Sequence, residues 1–288
     1  MKFYIKNVIL KTTLPRIEMI FVLIINWNDF LLPYEQAVAE IKLKLENVTK
    51  QYEATYKHCP VEVIEGRVKS VGSILQKAEK KGISLEDIGE KVEDIAGLRI
   101  ICRFVEDIEK VVQMIYDRKD FDMTVLVERD YINNTKSSGY RSYHLIVEYP
   151  VVALGGRKNL KVEIQIRTMS MNFWATIEHS LRYKYNGNIP DYVQERLKSS
   201  AEAAFQLDRE MSNIRDEITE AQRISLTLQN AVNEILNNLQ RLYEVAEMDK
   251  VNKMNREFIE IYQSNNIDKL LGFKERIKVL VDVYKVRY

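Results

Sequence analysis

The sequence predicts an α+β fold, in which a mixed β-sheet is flanked by helices and followed by a long helical tail. Several short segments alternate apolar and polar residues with the period of a β-strand, at 98–105, 123–128, 143–149 and 160–167. Helical periodicity separates the earlier of these strands, which is typical of a mixed sheet covered by helices. From Asp191 onward the pattern is almost wholly helical.

Length and charge limit the classes of function. The chain has 288 residues, enough for one large or two modest domains. Its 43 Lys+Arg and 42 Asp+Glu give a net charge of +1, whereas a bulk nucleic-acid or membrane-surface binder would show a clear cationic excess. Any anion site must therefore be local.

Cysteine usage and the N-terminal segment bear on location. Only Cys59 and Cys102 are present, which cannot form a disulfide framework and favour a reducing, cytoplasmic compartment. The apolar run 19–25 is too short to span a bilayer, which takes about 20 residues, and no small-residue cleavage site follows it. We therefore expect no membrane partner, and interpret the run as an added strand or helix, or as the product of a start codon assigned too far upstream.

The helices are predicted from apolar stripes and capping residues. A leading helix is expected over 35–57, and a second helix opens at Ser70 and ends at Gly82. A third begins at Glu106 and Asp107, whose charges suit a helix N-terminus. In the tail, one long stripe is formed by Val232, Ile235, Leu236, Leu239, Leu242 and Tyr243.

Common nucleotide and metal motifs are missing from the sequence. The glycines form neither the phosphate-binding loop that ends in Gly-Lys-Ser/Thr nor the pattern G-x-G-x-x-G, and there is no H-E-x-x-H. The three histidines are scattered and none is followed by Asp. Nucleotide chemistry in this chain would therefore need another scaffold.

One predicted strand carries a polar row. In 162–167, Val162, Ile164 and Ile166 alternate with an acid, an amide and a guanidinium, so the polar side chains share one face. These residues, Glu163, Gln165 and Arg167, suit a polar ligand. An ordinary solvated sheet face is the alternative.

A second acid stands at the mouth of another strand. Asp94 precedes the strand that carries Arg99, and it can approach Glu163 if the two strands share a sheet. Two carboxylates on one side suit Mg²⁺ that also holds phosphates. A helix cap or a surface acid is the alternative for Asp94.

Cations and aromatic residues cluster in two further segments. Arg67 and Lys69 share one face of an extended stretch, and with Lys77 on the next helix they could grip a polyphosphate, although isolated surface cations remain the alternative. The segment 129–144 mixes cations, small residues and aromatics. Tyr140, after Gly139, could stack on a base, and His144 could donate to a phosphate; a tyrosine-rich hairpin edge is the alternative.

Taken together, these segments resemble the RelA/SpoT-type alarmone synthetases, specifically the small, single-domain (p)ppGpp synthetases. The resemblance covers about 27–221 and rests on several motifs in family order. These are Gly66-Arg67-Val68-Lys69-Ser70, Asp94-Ile95-Ala96-Gly97-Leu98-Arg99, Arg129-Asp130-Tyr131-Ile132, Ser138-Gly139-Tyr140-Arg141-Ser142-Tyr143-His144, Glu163-Ile164-Gln165-Ile166-Arg167-Thr168 and Asn172-Phe173-Trp174-Ala175-Thr176-Ile177-Glu178-His179.

The resemblance implies a nucleotidyltransferase-like sheet and transfer of pyrophosphate from ATP to the ribose 3′-hydroxyl of GDP or GTP, with release of AMP. By this analogy Asp94 and Glu163 are the catalytic acids. Asp94 binds Mg²⁺, and Glu163 binds the metal or takes the proton of the 3′-hydroxyl. The implied ATP-binding residues are Arg67, Lys69, Lys77 and Arg99. The implied guanine-nucleotide residues are Arg129, Tyr131, Lys136, Tyr140, His144, Gln165 and Arg167.

The resemblance also implies an organisation and partners. We expect an N-terminal extension at 1–26, a synthetase domain with its leading helix at 27–221, and a helical C-terminal extension at 222–288. A homotetramer is implied, and single-stranded RNA is a further candidate partner. Two alternative functions stay open: a nucleotide- or RNA-binding regulator without turnover, and another nucleotidyltransferase that acts on RNA.

Some members of this family bind a guanosine polyphosphate as an activator through basic positions on the first helix. Lys42 fits that pattern, but Glu46 and Thr49 stand where cations are expected, and Glu65 replaces a small hydroxyl residue. Because acids repel polyphosphate, we expect this activation to be absent.

Overall fold

The computed structural model describes residues 26–287 except 57, 120, 155 and 185–188, so the apolar run 19–25 lies outside the described residues. The chain divides into two compact units, Met1–Ser212 and Asn213–Tyr288. Within the described residues, no helix combines the length and the apolar character needed to cross a membrane.

The first unit is built around a five-stranded sheet. Its strands are β1 (Val63–Val68), β2 (Ala96–Cys102), β3 (Thr124–Asp130), β4 (Tyr143–Ala153) and β5 (Gly156–Thr168). Among the described residues, its helices are α1 (Trp27–Thr55), α2 (Val71–Lys81), α3 (Ile88–Lys91), α4 (Val105–Tyr116) and α5 (Met169–Lys184), and α6 (Asp191–Val245) begins in this unit.

The sheet is mixed, as the sequence predicts. Its strand order is β1-β2-β5-β4-β3, and only β2 and β5 run parallel to each other. In their register Gly97 lies opposite Glu163 and Arg99 lies opposite Gln165. The parallel pair therefore brings the segment after Asp94 beside the polar row of β5.

Alternation along β5 decides which face meets the core. Val162, Ile164 and Ile166 are fully buried, as predicted, and pack with Ala37 and Ile41 of α1 in the main hydrophobic cluster. Burying side chains of this size contributes roughly 1.5–3 kcal/mol each. The opposite face of β5 is left to the polar side chains.

The capping residues of α2 behave as the sequence predicts. The hydroxyl of Ser70 accepts a hydrogen bond from the backbone N–H of Ser73, and Gly82 ends the helix in the left-handed conformation with φ of 63°. Ile74 and Ala78 are buried, so the same helix directs Lys77 away from the core.

The second unit is helical. It contains the C-terminal part of α6, α7 (Met248–Gln263) and α8 (Ile267–Arg287), and its core includes Ile235, Leu239 and Phe273. The predicted stripe is too wide, because Leu236 and Tyr243 are 49% and 47% exposed. Each follows a buried residue by one position and therefore lies about 100° further around the helix, outside the packed seam.

Candidate active site

A cleft of about 400 Å³ opens over β1, β2 and β5. It gathers residues that lie far apart in the sequence, including both predicted catalytic acids. Its lining side chains and backbone come from Lys42, Glu65, Gly66, Arg67, Asp94, Gly97, Leu98, Arg99, Glu163 and Gln165.

Asp94 is held by two lysines. Its Oδ2 lies 2.5 Å from Nζ of Lys69 and 2.7 Å from Nζ of Lys77. Burial alone would raise the pKa of Asp94, but the hydrogen bonds from the two lysines outweigh it and leave that pKa below its ordinary value. Asp94 is therefore an anion in a strongly cationic corner of the cleft.

The second oxygen of Asp94 has a different environment. Oδ1 is buried and has no hydrogen-bond partner within the part of the chain that the structure describes. A buried carboxylate oxygen without a partner is uncommon, because desolvating it without compensation is costly. This oxygen is therefore free to bind a cation.

Glu163 lies at the centre of a connected set of side chains. Its Oε1 is 3.1 Å from Nδ1 of His144, and its Oε2 accepts a hydrogen bond of 2.7 Å from Gln165. Burial and the nearby charge of Asp94 raise the pKa of Glu163, but the contacts with His144 and Gln165 outweigh them and leave it lowered. Glu163 is thus ionised and oriented.

The set closes through Tyr140 and Arg167. The hydroxyl of Tyr140 is 2.8 Å from Nε2 of His144 and accepts a hydrogen bond of 3.1 Å from Arg167. Arg167 also donates to Oε1 of Gln165, so the five side chains form a ring, which we call the Glu163 ring. Burial raises the pKa of Tyr140, and its phenol therefore keeps its proton.

Tyr131 and Lys136 pack against one side of the Glu163 ring. Tyr131 packs edge-on against His144 with ring centroids 5.1 Å apart, and Nζ of Lys136 lies 4.1 Å from the centroid of Tyr131 and 4.9 Å from that of Tyr140. Burial lowers the pKa of Lys136. The predicted guanine-nucleotide residues Tyr131, Lys136, Tyr140 and His144 are thus brought together.

Two predicted cations are engaged by acids. Arg99 pairs with Glu65 at 3.3 Å across β1 and β2, and Arg129 pairs with Glu93 at 2.8 Å. Sequence reasoning assigned no pairing role to these acids. The sequence does indicate that Glu65 lies on the cleft face, because it stands two residues before Arg67 and therefore on the same face of the strand. For Glu93 the sequence indicates nothing beyond its place next to Asp94.

The fold and this cleft define a class of enzyme that transfers phosphoryl groups between nucleotides. In such enzymes the cations and acids on the sheet align the substrates and neutralise their charge. Residues 66–188 match the family described as a region found in RelA / SpoT proteins. The chain belongs to this family, as a small alarmone synthetase of the GTP pyrophosphokinase type.

Characterised relatives show the extent of the similarity. The chain is 57% identical over 197 residues to the GTP pyrophosphokinase YjbM of Bacillus subtilis, an alignment that covers 68% of this chain and 92% of the relative. It is 39% identical to the GTP pyrophosphokinase YwaC of the same organism, over 67% of this chain and 92% of that one.

Solved structures agree with the sequence relatives. Small alarmone synthetase 1 from Bacillus subtilis bound to its product pppGpp matches with a TM-score of 0.64 and 56% identity, over 67% of this chain and 97% of that chain. The same enzyme bound to AMPCPP matches with a TM-score of 0.60 and 54% identity, over 67% and 98% of the two chains.

Proposed function

We propose that this chain is a GTP pyrophosphokinase that transfers the pyrophosphoryl group of ATP to the ribose 3′-hydroxyl of GDP or GTP. The products are ppGpp or pppGpp, and AMP. The observation that carries the proposal is the placement of Asp94 and Glu163 in one cleft beside the tyrosine-rich loop. The names and bound ligands of the relatives support it.

The bond changes define what the site must do. The 3′-oxygen of the guanine nucleotide attacks the β-phosphorus of ATP, and the bond from that phosphorus to the α,β-bridging oxygen breaks. AMP leaves with the bridging oxygen, and the proton of the 3′-hydroxyl passes to Glu163. The work of the protein is alignment and neutralisation of charge more than covalent chemistry.

Cations from three elements provide the ATP subsite. Lys69 and Lys77 converge on Asp94 and are placed to neutralise polyphosphate charge as point charges. Arg67 and Arg99 line the same cleft, and their planar guanidinium groups suit stacking on the adenine. Breaking the ion pair of Arg99 with Glu65 would release Arg99 for this contact.

The residues present fit Mg²⁺. The unpartnered Oδ1 of Asp94 and the carboxylate of Glu163 are the hard oxygen ligands that this ion prefers, and phosphate oxygens commonly supply the rest. Mg²⁺ bound there would stabilise the negative charge that develops on the phosphate oxygens.

Glu163 is suited to receive the proton, since it is ionised and held by His144 and Gln165. Tyr140 is proposed to stack on guanine, with Tyr131 and Lys136 around it. Arg129 and His144 complete the predicted guanine-nucleotide-binding residues. Arg129 would bind the nucleotide once its ion pair with Glu93 is broken.

The test is incubation of the full chain with ATP, Mg²⁺ and, separately, GDP, GTP or GMP, followed by chromatographic separation of the products. Stoichiometric AMP and a 3′-pyrophosphorylated guanosine nucleotide are expected. ADP as the product, or ATP hydrolysis independent of the guanine nucleotide, would contradict the proposal.

The assembly and location are further parts of the proposal. We propose a homotetramer, which light scattering would detect as about four times the 33.9 kDa chain mass. The free thiols of Cys59 and Cys102 are consistent with a cytoplasmic location. Single-stranded RNA remains a candidate partner, to be tested by a gel shift at physiological salt.

A further inference from the structure

Arg167 is an unusual cation because it is buried without an acidic partner among the residues that the structure describes. It is 3% exposed, and none of the described residues places a carboxylate within ion-pair distance of it. Its Nε is buried without a hydrogen-bond partner in the same part of the chain. Burial and the like charges of Arg99 and Arg67 lower its pKa. Such a group is costly to bury and calls for a compensating role.

The hydrogen bonds of Arg167 have a defined direction because a guanidinium can only donate. One bond goes to the hydroxyl of Tyr140, which lies 2.8 Å from Nε2 of His144, and we assign that ring nitrogen as the acceptor of the hydroxyl proton. With Nε2 as an acceptor, the ring hydrogen lies on Nδ1, which donates to Oε1 of Glu163 at 3.1 Å.

A second chain of hydrogen bonds runs in the same direction. Arg167 donates to Oε1 of Gln165, which fixes the orientation of that amide. The amide nitrogen of Gln165 then donates to Oε2 of Glu163. Both chains start at Arg167 and end on the two oxygens of Glu163, so every donor in the Glu163 ring points toward the carboxylate.

We infer that Arg167 is a positioning residue that sets the tautomer of His144 and the amide orientation of Gln165, and thereby aims Glu163 into the cleft. The inference rests on the proposed function, in which Glu163 accepts the proton of the 3′-hydroxyl. It differs from the direct nucleotide contact expected from the sequence, because a side chain that is 3% exposed offers little surface to a ligand.

The first test measures the tautomer in the nucleotide-free protein. Full-length chain labelled with ¹⁵N-histidine contains only His58, His144 and His179, so His58→Asn and His179→Asn assign the His144 signals. The expected ¹⁵N shifts are those of a ring with hydrogen on Nδ1 and none on Nε2. Hydrogen on Nε2 in the wild type would overturn the inference. This result does not depend on turnover, so it is separate from the fate of the proposed function.

The second test compares Arg167→Lys and Arg167→Met in steady-state kinetics. We expect kcat to fall about 10- to 100-fold in both, with KM for ATP and GDP within about twofold of wild type. Lysine should not rescue, because a compact ammonium cannot reproduce the fork of a guanidinium. Arg157→Met, at an exposed position of the same strand, is the matched control and should behave as wild type.

A third test asks whether Tyr140 and Arg167 act in one chain. Tyr140→Phe keeps the aromatic face and removes the hydroxyl, so kcat should fall about three- to tenfold with KM for GDP unchanged. Combined with Arg167→Lys, it should add little further loss, because that chain is already broken. If thermal melts show that the Arg167 variants do not fold, Tyr140→Phe alone tests the chain.

Three kinetic outcomes would also refute the positioning role. One is a raised KM for GDP at unchanged kcat with partial rescue by lysine, which would make Arg167 a phosphate ligand. Another is wild-type kcat in Tyr140→Phe. The third is additivity of the two substitutions in the double variant. Absence of AMP formation by the wild type would instead refute the proposed function, and the tautomer measurement would still decide the inference.

Discussion

The two carboxylate oxygens of Asp94 have different surroundings. Its Oδ2 is bound by Lys69 and Lys77, while its Oδ1 is buried without a partner in the described residues. The two lysines keep the carboxylate ionised, and ionisation is what a cation ligand requires. The proposed metal-binding role of Asp94 therefore depends on its charge more than on its shape.

Substituting the acids should test this directly. Asp94→Asn and Glu163→Gln keep the volume of each side chain and remove its charge, and we expect each to lower AMP release at least about 100-fold. The measurement is product formation from ATP and GDP, with circular dichroism to show that the fold is kept.

Glu62→Gln is the matched control for these two variants. Glu62 pairs with the exposed Arg103, outside the cleft, so its neutral variant should retain wild-type turnover. Undiminished turnover in Asp94→Asn or Glu163→Gln would remove the assigned catalytic roles.

Tyr140 is proposed to stack on guanine, so Tyr140→Ala should weaken binding of the guanine nucleotide by about 1–3 kcal/mol, the range for loss of one stacked base. Titration calorimetry with GDP and with a non-hydrolysable ATP analogue separates the two ligands. Tyr192→Ala, at a residue that is 69% exposed, is the control. Weaker ATP binding with unchanged GDP binding would contradict the stacking role.

At the scale of elements, the loop between β3 and β4 is fixed by contacts to α6. Arg141 donates to the backbone carbonyl of Ala201 and pairs with Glu202 at 2.7 Å. Gly139 has φ of +85°, and a Cβ built there would lie 2.7 Å from Cβ of Ala201. The loop that carries Tyr140 is thus held against α6 at a position where only glycine fits.

Gly139→Ala should therefore disturb this loop. We expect a loss of about 1–3 kcal/mol in stability and a raised KM for GDP, because the backbone is strained and the loop is pushed from α6. Gly72→Ala is the control: it lies in α2 with nothing within 4 Å of a built Cβ, and should be neutral or stabilising. Equal thermal melts and equal KM values for both variants would contradict the packing argument.

Sequence patterns predict some features of the fold and the cleft and do not predict others, for physical reasons. The alternation in β5 correctly predicts that Val162 and Ile164 enter the core, because the strand period is a local property. It also places Glu163 and Arg167 on one face, yet their different exposure depends on what covers that face. Tyr140, in the loop before β4, contacts Arg167, and single-strand periodicity carries no information about that contact.

At the scale of the whole molecule, about a third of the chain lies outside the alignments with the Bacillus subtilis relatives described above, which cover 67–68% of it. The unit Asn213–Tyr288 has a core of its own, in which Phe273 and Ile277 are each 1% exposed. The division of the sequence at 221 and 222 remains a prediction.

Phe273→Ala should destabilise this second unit by about 3–5 kcal/mol, through lost burial and the cavity left behind. Amide hydrogen exchange of peptides from 213–287 measures the change locally. Val279→Ala, on the same helix at a residue that is 62% exposed, should change exchange little. Equal protection in the two variants would show that Phe273 does not belong to a packed core.

Regulation by the product class is also a property of the whole molecule. On α1, Nζ of Lys42 lies 3.8 Å from Oε1 of Glu46, and Glu65 is paired with Arg99. Acids therefore lie beside the cations that would have to bind a polyphosphate. We expect initial rates of AMP formation to stay within about twofold when pppGpp is added. A several-fold increase would show that the activation is retained.

The parallel pairing of β2 with β5 has a consequence for synthesis on the ribosome. β2 and β5 are distant in the sequence, and the helix and strands between them must be made before the two can pair. Long-range parallel pairing is slow to form, because the entropy of closing a long loop is lost before any stabilising contact between the strands is made. A nascent chain that stops before β5 contains Asp94 but not Glu163, so an interrupted translation product has no complete site.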